Sequence, residues 1–319
     1  MRLPMTTRRL AVATGVLVGL AGCSSGPSEL ASMVNTQAKS IANSVHRPGW
    51  ISPEASSARL LYASEYNTNE VLIFDQKGLS QVGDITDGVN GPEGLFVDSH
   101  GNLYATNNAG TVQFYKKGKT SPTITYSQGL SYPFDVVVGT DGYVYVMNFN
   151  SGNGLVVEYP PGSTIPTLSF TIGALGEGVA LDNANDLYVS YRNGGSGSVL
   201  EFPPHSSNGT DLGLQGLSSN VGGLLIDENG DIVYADQGNG LIDIFPPGST
   251  TASRTISTGG DPWRLTLNHD EKTLYVSNWS ENELQSFTYA NGKPVATVPS
   301  ISGPIGVSAS PSYPFGEPY

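Results

Sequence analysis

Gly91-Pro92-Glu93-Gly94-Leu95-Phe96-Val97-Asp98-Ser99-His100-Gly101-Asn102-Leu103-Tyr104-Ala105 is the stretch that decides the fold. A short apolar run, Leu95 to Val97, follows a Gly-Pro-Glu-Gly opening. It stops at Asp98-Ser99-His100-Gly101-Asn102, where Gly and Asn supply the positive φ that a hairpin turn needs. Leu103-Tyr104-Ala105 then begins a returning strand. The segment therefore reads as two antiparallel strands joined by a tight turn.

The same grammar recurs along the chain. Strands carrying a Tyr recur at Tyr62, Tyr104, Tyr145, Tyr188, Tyr234 and Tyr275, 41 to 46 residues apart. A second aromatic column runs through Phe74, Tyr115, Tyr159, Phe202, Phe245 and Tyr289 with the same period. Pro160-Pro161-Gly162, Pro203-Pro204-His205 and Pro246-Pro247-Gly248 mark turns, because Pro cannot donate within a ladder. Four short antiparallel strands per period of this length make a propeller blade. The expectation is an all-β, six-bladed β-propeller over residues 59–311. The first Tyr strand, near Tyr62, has no opening strand before it. Gly303-Pro304-Ile305-Gly306-Val307 is an opening strand with no Tyr strand after it. The C-terminal strand should therefore close the ring, with 312–319 left as a tail.

Composition agrees. The 319 residues include 40 Gly and 21 Pro and only 13% charged residues, which argues against helices. The formal net charge of −13 and the absence of a basic patch exclude nucleic acid as an expected partner. A single Cys excludes a disulfide framework and a multi-cysteine metal site.

The N-terminus reads as an export signal over residues 1–22. Arg2, Arg8 and Arg9 precede an apolar run from Leu10 to Leu20, too short to span a membrane as a helix. Leu20-Ala21-Gly22-Cys23 resembles a bacterial lipobox, which implies lipidation of Cys23 and a membrane-anchored protein of the cell envelope. Ser24 after the Cys would favour the outer membrane in a Gram-negative host. The Arg8-Arg9 pair also permits twin-arginine export. Residues 23–58 then read as a tether, with Trp50-Ile51 able to dock on the domain. A monomer is expected.

The units at 91–105 and at Val221-Gly222-Gly223-Leu224-Leu225-Ile226-Asp227-Glu228-Asn229-Gly230-Asp231-Ile232-Val233-Tyr234-Ala235-Asp236 resemble NHL repeats. They are similar to the wider six-bladed family that includes regucalcin-like and gluconolactonase-like proteins and streptogramin lyases. The resemblance spans 59–311 and specifies fold far better than activity.

In a propeller, the start of each opening strand and the loop after each Tyr strand share one face. That face should carry Glu93, Phe134, Asp135, Glu177, Trp263 and Arg264, with Glu65, Asn107, Asn148, Tyr191, Asp236, Gln237 and Asn278 from the second strands. Carboxylates and amides in such number suit a Ca²⁺ or other divalent cation, with Glu93, Asp135, Asn148 and Glu177 as candidate ligands. Resemblance to the lactonases implies a metal held by Glu93 and Asn148, polarising a lactone carbonyl. Two functions stay open: a non-enzymatic module binding a protein, peptide or glycan on this face, and a metal-dependent lactonase-like hydrolase. No His is placed to act as a base there: His46 lies in the tether, and His100, His205 and His269 lie in turns away from the face. Asp98, Asp182 and Asp227 are expected to bond turn amides.

Overall fold

Every blade is built from the same alternation of inward and outward apolar residues. The computed structural model describes residues 49–150 and 152–310. Blade 2 is the quoted stretch extended: Pro92–Val97, Leu103–Asn107, Thr111–Tyr115 and Ile124–Tyr126 pair in that order. Blade 3 runs Tyr132–Val138, Val144–Asn150, Asn153–Tyr159, Leu168–Thr171. Blade 4 runs Gly176–Leu181, Leu187–Asn193, Ser196–Phe202, Thr210–Asp211. Blade 5 runs Val221–Ile226, Ile232–Asp236, Leu241–Phe245, Arg254–Ser257, and blade 6 runs Pro262–Leu267, Thr273–Asn278, Glu283–Thr288, Lys293–Pro299. All ladders are antiparallel. The chain is a six-bladed β-propeller.

Blade 1 draws its strands from both ends of the described chain. Pro304–Ser310 is its innermost strand and pairs with Leu60–Glu65, Leu61 opposite Ala309 and Ala63 opposite Val307. Glu70–Asp75 and Gln81–Ile85 follow outward. The C-terminal strand thus closes the ring and leaves no inner edge open. Trp50–Ile51, N-terminal to the expected start at 59, adds a fifth strand at the outer edge, pairing with Asp84 and Gly83. A 3-10 turn, Pro53–Ser56, then buries Ala55 against the same blade. Cys23 and residues 312–319 lie outside the described residues.

Blades adhere through apolar layers between neighbouring sheets. One layer joins Tyr62 and Ile73 of blade 1 to Leu95 and Leu103 of blade 2; five similar layers complete the circuit, the last joining Tyr275 and Leu284 of blade 6 to Leu61 and Val307 of blade 1. Removing this surface from water is the main stabilising term, about 25 cal/mol per Å² of apolar area.

One column is corrected. In blades 2, 4 and 6 the Tyr strand pairs Tyr104 with Phe96, Tyr188 with Ala180 and Tyr275 with Thr266. In blade 5 the equivalent partner of Leu225 is Val233, not Tyr234. The strand is set one residue off, so Tyr234 points to the opposite side and packs fully buried with Val221 and Leu224. A one-residue slip always turns a strand side chain to the other face.

The turn chemistry is as expected. Asp98, Asp182 and Asp227 each accept two backbone N–H groups of their own hairpin turns. Gly162 and Gly248 take positive φ after their Pro pairs; in blade 4 the same place is held by His205, φ 57°. A non-Gly residue there is held by its surroundings: Tyr143 packs on the ring, and Glu158 and Asp141 flank its two nitrogens.

Candidate functional site

The channel is shaped by a bulge at the start of every inner strand. Pairing shifts between Pro92 and Leu95, Gly176 and Val179, Val221 and Leu224, and Pro262 and Leu265, with matching shifts in blades 1 and 3. Each bulge contributes two consecutive residues to the channel. The outer set, at the mouth, is Ile305, Glu93, Phe134, Glu177, Gly222 and Trp263. The second set, at the waist, is Gly306, Gly94, Asp135, Gly178, Gly223 and Arg264.

Four of the waist positions are Gly because inner strands nearly touch there. A Cβ on Gly94 would strike Asp135, one on Gly178 would sit 2.7 Å from Gly223, and one on Gly223 would sit 2.6 Å from Arg264 Cδ. The two exceptions, Asp135 in blade 3 and Arg264 in blade 6, face each other across the ring. Both are buried, and Arg264 Nε lies 3.3 Å from Asp135 Oδ2.

The bulges also turn six backbone carbonyls out of the ladders. Buried carbonyls must find donors. Four are served by second-strand hydroxyls of the preceding blade: Ser64 donates to Glu93 O, Thr106 to Phe134 O, Ser190 to Gly222 O, and Ser277 to Ile305 O. The same hydroxyls accept from Gly306 N, Gly94 N, Gly178 N and Arg264 N of their own blades. Blades 3 and 5 carry Met147 and Ala235 at this position and have no hydroxyl to offer. The two carbonyls left are Glu177 O and Trp263 O. Arg264 serves both, at 2.8 and 3.1 Å, and adds a bond to Phe134 O at 3.3 Å. Sequence reading set Arg264 on the binding face. It sits one layer deeper and closes the waist.

Above Arg264 lie two carboxyls. Glu93 is only 2% exposed, and its Oε2 has no hydrogen-bond partner. Burial pushes its carboxyl up to about 8, against the opposing pull of a hydrogen bond with Tyr132 and of Arg264. Glu177 is half-buried with an unpartnered Oε2, and burial raises it to about 7, with Arg264 and Arg192 pulling the other way. Gln237 Nε2 is likewise buried without a partner. Burial also raises Asp135, offset by Arg264 and by the N–H groups of Val179 and Val136.

A run of aromatic rings begins beside Glu93, at Tyr132. Tyr132 stands edge-on to buried Phe134, centroids 5.0 Å apart, and Phe134 meets Phe149 at 6.0 Å. Tyr66 lies 3.5 Å from Tyr132 through their hydroxyls and contacts Trp279 at 6.0 Å. Trp279 meets Trp263 at 5.6 Å. Tyr66 and Tyr132 were not singled out in the sequence; Tyr66 follows Glu65, and Tyr132 lies two residues before Phe134.

The remaining expected face residues are turned to other work. Asn107, Asn148, Asp236 and Asn278 are fully buried at equivalent positions. Each side-chain oxygen accepts a backbone N–H from the loop entering its own blade: Asn90 N, Ser131 and Tyr132 N, Ser218 N, and Asp261 N. Asp236, not Gln237, is the blade 5 member, through the slip that displaces Tyr234. Glu65 accepts from Ser302 N and Thr68 Oγ1. Tyr191 points outward and donates to Asp211.

The residues do not fit a divalent cation. Among the described residues, no three His, Cys, Asp or Glu side chains gather closely enough to hold an ion. Asn148 brackets a loop, and Asp135 is engaged by Arg264, Val136 and Val179. A hard cation wants several free oxygens, and only Glu93 and Glu177 offer them.

Comparison with known proteins agrees on the fold. No family model matches the chain, and no curated protein does. A chain from a crystal structure of a nidogen/laminin complex superimposes with TM-score 0.65 at 16% identity, covering 79% of this chain and 98% of that one. A protein of unknown function from Bacteroides caccae gives 0.63 at 12% identity, covering 79% and 98%. A functionally unknown protein from Desulfotomaculum acetoxidans DSM 771 gives 0.58 at 14% identity, covering 79% and 99%. At these identities the likeness shows the propeller fold alone.

Proposed function

We propose that this propeller is a lipid-anchored binding module of the bacterial cell envelope that takes its ligand at the axial mouth. The observation that carries the reading is Glu93: a buried carboxyl with a free oxygen, beside a run of aromatic side chains that starts at Tyr132. Unmatched buried polar groups are costly, and binding surfaces are where proteins keep them. Aromatic side chains at a wet rim are the usual binding anchors. The lipobox-like Leu20-Ala21-Gly22-Cys23 supports anchoring through Cys23, and the NHL-like repeat grammar supports a binding role. A propeller of the same fold occurs in the crystal structure of a nidogen/laminin complex, which is compatible with a protein as partner.

Two measurements test it. Cys23→Ser should move the protein from the membrane fraction to the soluble fraction of its host; an unchanged distribution contradicts anchoring. In-cell crosslinking should yield a partner with the wild-type chain and lose it with Trp263→Ala/Trp279→Ala at unchanged melting temperature. Equal yields would place binding elsewhere.

A further inference from the structure

The mouth has the chemistry of one ligand class, and this inference deepens the proposed binding reading, on which it rests. Glu93 and Glu177 each carry a buried oxygen without a hydrogen-bond partner. The nearest cation, Arg264, is turned to the waist: its nitrogens face Asp135, Trp263 O, Glu177 O and Phe134 O. The guanidinium therefore serves the waist first, and its pull on the two carboxyls, with that of Arg192 on Glu177, is outweighed by their burial. The flank of Glu93 is aromatic. Tyr132 joins Glu93 directly and meets Tyr66 through their hydroxyls, and Trp279 and Trp263 continue from Tyr66 by ring contacts.

Paired buried carboxyls ionise readily only with positive charge beside them. A hard metal ion is unsuited, for want of oxygen ligands. Aromatic faces attract a diffuse organic cation through their quadrupole, and the attraction strengthens when water is excluded. We infer that the axial mouth is a receptor for an alkylammonium group, its nitrogen held by Glu93 and Glu177 and its carbon chain lying against Trp263, Trp279 and Tyr66. Such a group reaches the mouth either as a free amine or as a lysine side chain of a partner protein. The acidic surface, net −13, favours approach of either.

The test is a titration of purified full-length protein, read by calorimetry and by tryptophan fluorescence. The probes are n-butylammonium, Nα-acetyl-lysine methylamide, n-butanol and n-butyrate, at constant ionic strength. Saturable binding is expected for n-butylammonium and none for butanol or butyrate. Saturation by the acetyl-lysine derivative as well assigns the source as a lysine side chain; n-butylammonium alone assigns a free amine. Glu93→Gln should weaken binding about ten-fold or more, as expected for loss of a charge-assisted bond. Trp279→Leu, remote from the waist, should weaken it with Glu93 intact. Equal response to butanol and n-butylammonium overturns the inference without any variant, as does unchanged affinity in Glu93→Gln. If the probes fail while the mouth variant Trp263→Ala/Trp279→Ala still loses its crosslinked partner, the ligand class is wrong and the binding reading stands. If both fail, so does the binding reading.

Discussion

Arg264 Nε lies 3.3 Å from Asp135 Oδ2, and the two residues stand on blades directly opposite one another across the channel. They are the only waist residues that are not Gly. Arg264 thereby joins three blades: its own, blade 3 through Asp135 and Phe134 O, and blade 4 through Glu177 O. A ring held only by neighbour contacts gains a cross-brace.

Removing the brace should be severe. Arg264→Ala strands the carbonyls of Glu177 and Trp263 and leaves the Asp135 carboxylate buried without its partner. Breaking a buried pair from one side costs about 3–5 kcal/mol. Urea denaturation should show the loss, and Arg264→Ala/Asp135→Asn should lose less than the two single changes summed.

The hydroxyl bridges can be tested one at a time. Ser190 accepts from Gly178 N at 2.8 Å and donates to Gly222 O at 2.6 Å, wholly buried. Ser190→Ala orphans both and should cost about 1–3 kcal/mol. Ser190→Thr keeps the hydroxyl and should cost less. Equal losses would show that volume, not hydrogen bonding, decides this position.

Ring closure rests on the last described strand. A chain ending at Gly303 lacks the inner strand of blade 1 and exposes the ladder edge of Leu60–Glu65. It should lose the cooperative thermal transition seen by circular dichroism. A retained transition at the full-length temperature would contradict the closure role.

Much of this was legible in the chain. The repeat period, the four-strand grammar and the missing opening strand before Tyr62 together specify six blades and their closure. The waist was also written there, as Gly94, Gly178, Gly223 and Gly306 aligned with Asp135 and Arg264. It went unread because the Asp–Arg relation exists only once the ring has closed. Asn107, Asn148 and Asn278 were misplaced for a different reason. An amide after a strand is equally suited to face solvent or to bracket a loop, and only the loop path decides. Tyr234 misled by one residue, because an aromatic is welcome on either face of a buried blade.

Metal should leave the protein unmoved. A ligand present at 100 times its Kd adds about 2.7 kcal/mol of stability. Melting temperatures in EDTA and in excess Ca²⁺ should coincide, since Asp135 and Asn148 are otherwise engaged. A Ca²⁺-specific rise abolished by Glu93→Gln would restore the cation site.

Stability should depend on pH through the mouth. Burial raises the Glu93 and Glu177 carboxyls from 4.5 to about 8 and about 7. Between these values the folded chain holds protons that the unfolded chain has released. Their contribution is therefore complete below pH 4.5 and is lost as pH rises through 7 and 8. Denaturation midpoints should fall across that window, and Glu93→Gln should flatten the fall. The charged and titratable groups facing Glu93 are Tyr132, Arg264, Glu177 and Asp135, and those facing Glu177 include Arg192, so each needs its own control. Ammonium binding should strengthen over the same window, because the cation favours the ionised carboxyls.

The most direct measurement is a carbon-13 carboxyl titration of Glu93 and Glu177 by NMR, with and without n-butylammonium. Midpoints near 8 and 7 in the free protein, both falling when the probe saturates, are the predicted result. Midpoints near the ordinary 4.5 that the probe does not move would contradict it.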